Sequence, residues 1–301
     1  MKIKKRTRAV WLVWAVFLQV AQAASSADLP KELPLWEKPP QASDVEEKVR
    51  SHKAPGSPTG MNRAFSSVSL PTYAIHRPEK PNGVGLVMCP GGGFRDIWID
   101  REGHDLAIWL KERGVTCLVL KYRTRPVDLG KPNAWKNYQE AVRSDARQAI
   151  RILRKNAENF GLKADRIGIG GFSAGGYLAI SASLAPEPEP AKSDIRGMPD
   201  FAGLFYPGIP DEAAQWIESR RDICPMFIVN ARVDKLTPAP KCIDFYARLL
   251  KAGVNAELHL FSNGGHGFGM GQGRGKSTVL WPTSFAAWLC DIEIIDDGGV
   301  Q

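Results

Sequence analysis

The chain predicts an α/β fold: a mostly parallel central sheet with helices on both faces and no large cap domain. Short, β-branched apolar runs at 84–89, 115–122, 167–170, 201–206, 226–230 and 256–261 alternate with amphipathic stretches. That alternation is the pattern of parallel strands joined by crossover helices. A single glycine-flanked serine stands at one strand-to-helix junction, which sets the register of the whole pattern. At 301 residues, 44% of them hydrophobic and 24% charged, the chain is long and apolar enough to cover a sheet on both sides.

Residues 1–23 carry Lys2, Lys4, Lys5, Arg6 and Arg8, then an apolar run from Ala9 to Val20, then Ala21-Gln22-Ala23. A basic region, a short apolar region and a small-residue cleavage site predict a secretory signal peptide, hence a periplasmic or secreted protein. The apolar run is too short to span a bilayer comfortably, so stable membrane insertion is not expected once the signal is cleaved. Residues 24–62, rich in Pro, Ser, Lys and Glu, read as an N-terminal tether or surface-wrapping segment, and residues 63–301 as the α/β domain itself.

Within that domain, 67–76 is expected as an antiparallel edge strand. Strand 84–89 is followed by a helix over 104–113, and strand 115–122 by a helix over 138–159, where Tyr138, Val142, Ala146 and Ile150 recur at helical spacing. Strand 167–170 leads into a helix over 177–184, then the loop Ala185-Pro186-Glu187-Pro188-Glu189-Pro190, too short to fold as a lid. Strands 201–206 and 226–230, a helix over 239–252, strand 256–261 and a helix over 277–290 complete the pattern.

The net charge of +8 invites a nucleic-acid reading, but five of the positive charges lie in residues 1–23, which leaves about +3. No basic patch interleaved with aromatics remains, so no nucleic-acid partner is expected. Five cysteines are present; Cys89, Cys117 and Cys290 sit in apolar runs, and a Cys224–Cys242 disulfide is not expected. No Cys/His spacing suggests a metal site. Gly271-Gln272-Gly273-Arg274-Gly275-Lys276-Ser277 lacks the first glycine of a phosphate-binding loop, and 168–173 lacks the third glycine of a dinucleotide fingerprint. No cofactor is implied.

The junction is Gly171-Phe172-Ser173-Ala174-Gly175-Gly176, a G-x-S-x-G turn that thrusts the Ser173 hydroxyl above the sheet. A serine needs a histidine to take its proton and an acid to orient that histidine. Asp234 and His266 follow in that order, each just past a predicted strand. Asp211 and Asp222 precede their strand instead of following it. His52, His76, His104 and His259 lie in the tether, in strands or upstream of the serine. Pro90-Gly91-Gly92-Gly93-Phe94, at the end of strand 84–89, offers backbone donors for a developing oxyanion. Gly92, Gly93 and Ala174 are assigned to that role, and Arg95, Trp98 and Tyr206 read either as rim residues or as packing.

On these residues the chain resembles the α/β-hydrolase superfamily over about residues 65–292. The likeness extends to hormone-sensitive-lipase-like esterases and to bacterial carbohydrate (acetylxylan and feruloyl) esterases. Glu102-Gly103, Trp109-Leu110, Leu120-Lys121-Tyr122-Arg123, Asp145 and Arg147 match as well. Lipases of this type carry a histidine where Pro90 stands, which tilts the likeness to the secreted carbohydrate-esterase branch. The resemblance implies a serine carboxylesterase that deacetylates plant polysaccharide such as acetylxylan, taking a small-molecule or polysaccharide ester as its partner. The competing readings are a short-chain lipase or esterase, a serine peptidase of prolyl-oligopeptidase type, and an inactive hydrolase that binds polysaccharide.

Overall fold

A computed structural model describes residues 29–38, 45–126, 130–187 and 194–295. Residues 1–23, expected as a signal peptide, lie outside the described residues. Among the described residues no helix is long and apolar enough to cross a membrane.

The strands are β1 (Leu33–Pro34), β2 (Lys48–Lys53), β3 (Met61–Ser66), β4 (Thr72–His76), β5 (Gly83–Cys89), β6 (Asp96–Trp98), β7 (Thr116–Lys121), β8 (Leu162–Phe172), β9 (Ala202–Phe205), β10 (Met226–Ala231) and β11 (Ala256–Phe261). The helices are α1 (Asp105–Lys111), α2 (Ala134–Lys155), α3 (Ala157–Phe160), α4 (Ala174–Leu184), α5 (Ala213–Ser219), α6 (Ala239–Lys251) and α7 (Trp281–Asp291). Eight strands form the main sheet in the order β1-β4-β7-β5-β8-β9-β10-β11. The pairings from β7 to β11 are parallel, and β1 and β4 add an antiparallel edge. This is the mostly parallel sheet the sequence predicts.

Strand order places the site. From β5 the chain crosses to β7 on one side, then returns over β5 to β8 and continues outward on the other. The carboxyl ends of β5 and β8 are therefore neighbours whose connections leave in opposite directions. Such a switch point opens a crevice at the carboxyl edge of a parallel sheet. Cys89 stands opposite Gly171 in that pairing, so the loop after β5 must lie beside the turn after β8.

Every residue of β5, β7, β9 and β10 is buried, as strands covered on both faces must be. Helix α2 buries Tyr138, Val142, Ala146, Ala149, Ile150 and Leu153 along one stripe. Fully burying one such aliphatic side chain is worth about 1.5–3 kcal/mol. Arg147, on that stripe, reaches the carbonyls of Ala182, Ala185 and Pro186 and so satisfies the open end of α4. Asp145, wholly buried, pairs with Arg123 and accepts from the Trp36 indole at 2.9 Å. That contact and the burial of Leu35 hold 29–38 against the domain.

The structure departs from the predicted elements where local periodicity is weak. Strand β2, Lys-Val-Arg-Ser-His-Lys, is exposed at all six positions and shows no alternation to read. It pairs with β3, and β3 with β6, in a second three-stranded sheet. Helix α5 has only two buried anchors, Ala213 and Ile217. Helix α2 starts at Ala134, ahead of the predicted 138, and its first turn, which buries nothing, leaves no periodic signal to mark it. A π-turn over Asp100–His104 precedes α1, which runs over Asp105–Lys111 inside the expected 104–113. The last helix starts at Trp281, after a 3-10 turn, with Pro282 in its first turn.

The upstream histidines have other partners. His76 Nε2 and His104 Nδ1 lie 2.8 Å apart, buried between β4 and the π-turn. Burial, joined by the neighbouring His104 and Lys111, lowers the His76 pKa to about 3. Burial likewise lowers His104 to about 4, against a partial counter-pull from Asp100.

Candidate active site

Ser173 occupies a backbone conformation, φ 53° and ψ −114°, that costs of order 1–3 kcal/mol for a non-glycine residue. The surroundings impose it. Ser173 N–H donates to the Phe205 carbonyl at 3.0 Å, and the Ser173 carbonyl accepts from Tyr177 and Gly208. The flanking glycines make the turn possible: a Cβ on Gly171 would stand 2.0 Å from the Gly175 carbonyl oxygen, and one on Gly175 1.8 Å from that of Cys89.

The structure brings together the three side chains that the sequence singles out. Ser173 Oγ lies 2.8 Å from His266 Nε2, and His266 Nδ1 lies 2.8 Å from Asp234 Oδ2. The remaining lone pairs of Asp234 are taken by the backbone N–H groups of Leu236 and Thr237, each at 2.9 Å, and by the Thr237 hydroxyl at 2.8 Å. Burial pushes the Asp234 carboxyl up, but the bonds from His266 and Thr237 outweigh it and hold the group below the usual aspartate range. With Nδ1–H committed to a carboxylate, Nε2 is left to accept from the serine. The other acids are elsewhere: Asp222 pairs with Arg220 at 2.7 Å, and Asp211 is exposed.

The glycine loop after β5 is held at both ends. Tyr122 Oη donates to the Pro90 carbonyl at 2.7 Å. Phe94, at φ 62°, inserts among Tyr122, Trp135, Tyr138 and Tyr177 with ring centroids 5.4–6.3 Å away. Gly92 sits at φ 137°, where a Cβ would fall 2.1 Å from the Asp96 carbonyl oxygen, so no other residue fits. The Gly91 N–H is used by Glu102 Oε2 at 2.9 Å. Among the described residues the N–H groups of Gly92, Gly93 and Ala174 have no acceptor, and all three belong to segments bordering Ser173.

Two residues enter the site in roles that sequence reasoning missed. Tyr206, for which the sequence leaves rim and packing roles both open, is fully buried. Its hydroxyl donates to Glu102 Oε1 at 3.0 Å and accepts from Gly269 N–H at 3.1 Å, while its ring stands edge-on to His266 at 5.2 Å. Glu102, buried to 2% exposure, thus ties the glycine loop to the histidine loop through Tyr206. The histidine loop is pinned from its far side by Trp281 Nε1, which donates to the Gly269 carbonyl. The only sequence signal was Glu102 as a shared residue of the resemblance; its contact with Tyr206 spans 104 positions.

Glu102→Gln would keep an acceptor for Gly91 but turn an amide N–H₂ toward the Tyr206 hydroxyl and the Arg101 guanidinium, 3.2 Å away. A mismatched buried polar group costs about 1–3 kcal/mol. The expected result is a kcat about tenfold or more lower on small esters with KM little changed, measured by steady-state kinetics alongside a melting curve.

Among the described residues no group of three His, Cys, Asp or Glu side chains is placed to hold a metal ion. Cys224 and Cys242 do not pair.

The chain is similar to known proteins over most of this framework. The BD-FAE family model matches residues 133–197, from the start of α2 past α4. An acetylxylan esterase of Xylanibacter ruminicola is 29% identical over 223 residues, covering 64% of this chain and 43% of its own length. The chain thus spans less than half of that relative. Among solved structures, an acetyl ester-xyloside bifunctional hydrolase from Caldicellulosiruptor lactoaceticus superposes with a TM-score of 0.66 at 24% identity, over 89% of this chain and 98% of that one. Esterase 2 of Thermogutta terrifontis, phosphorylated by paraoxon, gives 0.64 at 23% identity, over 85% and 97%.

Proposed function

From the premise that this chain has the α/β-hydrolase fold, we propose that it is a secreted serine carboxylesterase that removes acetyl groups from plant polysaccharide such as acetylxylan. The observation that carries the reading is the hydrogen-bonded relay Ser173–His266–Asp234 beside a glycine loop with uncommitted N–H groups.

The chemistry follows from that geometry. His266 Nε2 takes the Ser173 proton as Oγ attacks the ester carbonyl carbon, and the carbonyl π electrons move onto oxygen. The N–H groups of Gly92, Gly93 and Ala174 receive that oxyanion; removing one donor of this kind from such a site costs about 2.7–4 kcal/mol. Asp234 stabilises the imidazolium and keeps the ring oriented. The tetrahedral species collapses, the C–O bond to the alcohol breaks, and His266 returns the proton to the leaving oxygen. Water, deprotonated by His266, then cleaves the acyl-serine in the same way and releases acetate and the free hydroxyl of Ser173.

Acetylated xylan as substrate is supported by the likeness to the Xylanibacter ruminicola protein. Export is supported by the basic, apolar and small-residue order of residues 1–23.

The test is a substrate panel on the purified protein. Acetate release from acetylated xylan is expected to exceed both ferulate release from feruloylated xylan and hydrolysis of tributyrin. Preference for tributyrin would replace the reading with a short-chain lipase. Failure of paraoxon to label Ser173 in one-to-one ratio, seen by intact-mass spectrometry, would remove the serine mechanism itself.

A further inference from the structure

A cavity of about 400 Å³ is lined by the turn joining β2 to β3 and by the loop that follows His266. Gly267 and Phe268, the two residues after His266, form one wall; Asn62, Arg101 and Asp105 form others, and Gln272 and Arg274 stand at the side. The volume falls within the range of small-ligand sites, roughly 300–1,000 Å³.

We propose that this cavity is the alcohol-side subsite, which receives a neutral sugar unit of the substrate. The inference rests on the esterase reading above.

Position is the first argument. His266 Nε2 must protonate the leaving oxygen, so the alcohol portion of the ester has to lie on the His266 side of Ser173. Gly267, the residue directly after His266, lines this cavity.

Lining is the second. Phe268 and Met270 give it a buried apolar floor, at 3% and 6% exposure. Around that floor stand amide and guanidinium groups. A pyranose or pentose ring has the matching form, with an apolar C–H face and hydroxyls at its edge. The guanidinium of Arg101 is held against the Trp98 ring, 5.0 Å from its centroid, and by Glu102 at 3.2 Å. Arg274 and Gln272 are exposed, and no described side chain pairs with either. They are the groups free to turn toward a ligand.

Connection is the third. Arg101 pairs with the same Glu102 carboxylate that accepts from Gly91 N–H. A sugar hydroxyl on Arg101 is therefore two contacts from the oxyanion loop, a route by which binding of a remote substrate part can support the reacting centre.

The test compares the parent with the double variant Gln272→Ala/Arg274→Ala, both in an exposed loop, on two esters. One is an acetylated xylo-oligosaccharide and the other p-nitrophenyl acetate. The ratio of kcat/KM between them is expected to fall at least fivefold, mainly through KM for the oligosaccharide. Free xylotriose should compete with p-nitrophenyl acetate in the parent, with a Ki at least fivefold weaker in the variant. A ratio and a Ki both within twofold of the parent overturn the subsite and leave the esterase reading standing. Absence of turnover of either ester by the parent, with no label on Ser173, overturns both.

Discussion

Replacing Ser173 by alanine is expected to lower kcat/KM on p-nitrophenyl acetate by about 10⁴- to 10⁶-fold while the melting temperature stays within about 2 °C. The two halves of that expectation have separate causes. In the proposed mechanism the hydroxyl forms the acyl intermediate, so its loss removes the covalent route whatever remains of the backbone donors. Folding hardly depends on it. Ser173 is fixed by its backbone bonds to Phe205, Tyr177 and Gly208, which alanine retains. His266, with a side chain 20% exposed, can turn its vacated Nε2 to water. Turnover that persists in the variant would show that another group carries the reaction.

Gly175→Ala should do the reverse and fail as a protein. Gly175 is in the first turn of α4, and a helix-propensity argument alone predicts that alanine stabilises it by about 0.8–1 kcal/mol. Sterics decide otherwise. The new Cβ would stand 1.8 Å from the Cys89 carbonyl oxygen and 2.6 Å from that of Pro90. Both are main-chain atoms at the end of the central strand β5, so relief requires α4 to move off the sheet. Overpacking of this kind costs about 1–3 kcal/mol and more where backbone must shift. The expected readout is a melting temperature at least about 6 °C lower, on the scale of about 2–4 °C per kcal/mol for a domain of this size. Gly208→Ala is the control, since its Cβ would meet nothing closer than 3.4 Å. An unshifted melting temperature for Gly175→Ala would mean that the close approach of α4 to β5 is not what fixes the serine turn.

Much of this framework could be read directly from the chain. Strand β11 occupies the predicted residues 256–261, and β5, β7, β9 and β10 end within one residue of expectation. Buried parallel strands leave continuous apolar runs, and the helices between them leave stripes, so each element signs itself locally. Ser173, Asp234 and His266 were legible because each directly follows such a run. The silent elements are those whose residues face solvent or whose anchors are few: β2, with six exposed residues, and α5, with two buried ones.

What the sequence by itself determined is the alternation of the parallel strands with the helices between them, the turn that presents Ser173, and the two side chains that hydrogen-bond in line with it. Periodicity and glycine sterics act between residues close in the chain, and those are visible in one dimension. Only the tertiary structure decided between rim and packing for Tyr206, which lies buried against the histidine. It also decided that Glu102 joins the glycine loop to Tyr206 under the histidine loop, and that the turn between β2 and β3 walls a cavity with Gly267 and Phe268. Each of these rests on a buried polar group or a surface meeting a partner far away in sequence. A hydrogen bond spanning 104 positions leaves no pattern in either of the segments it joins.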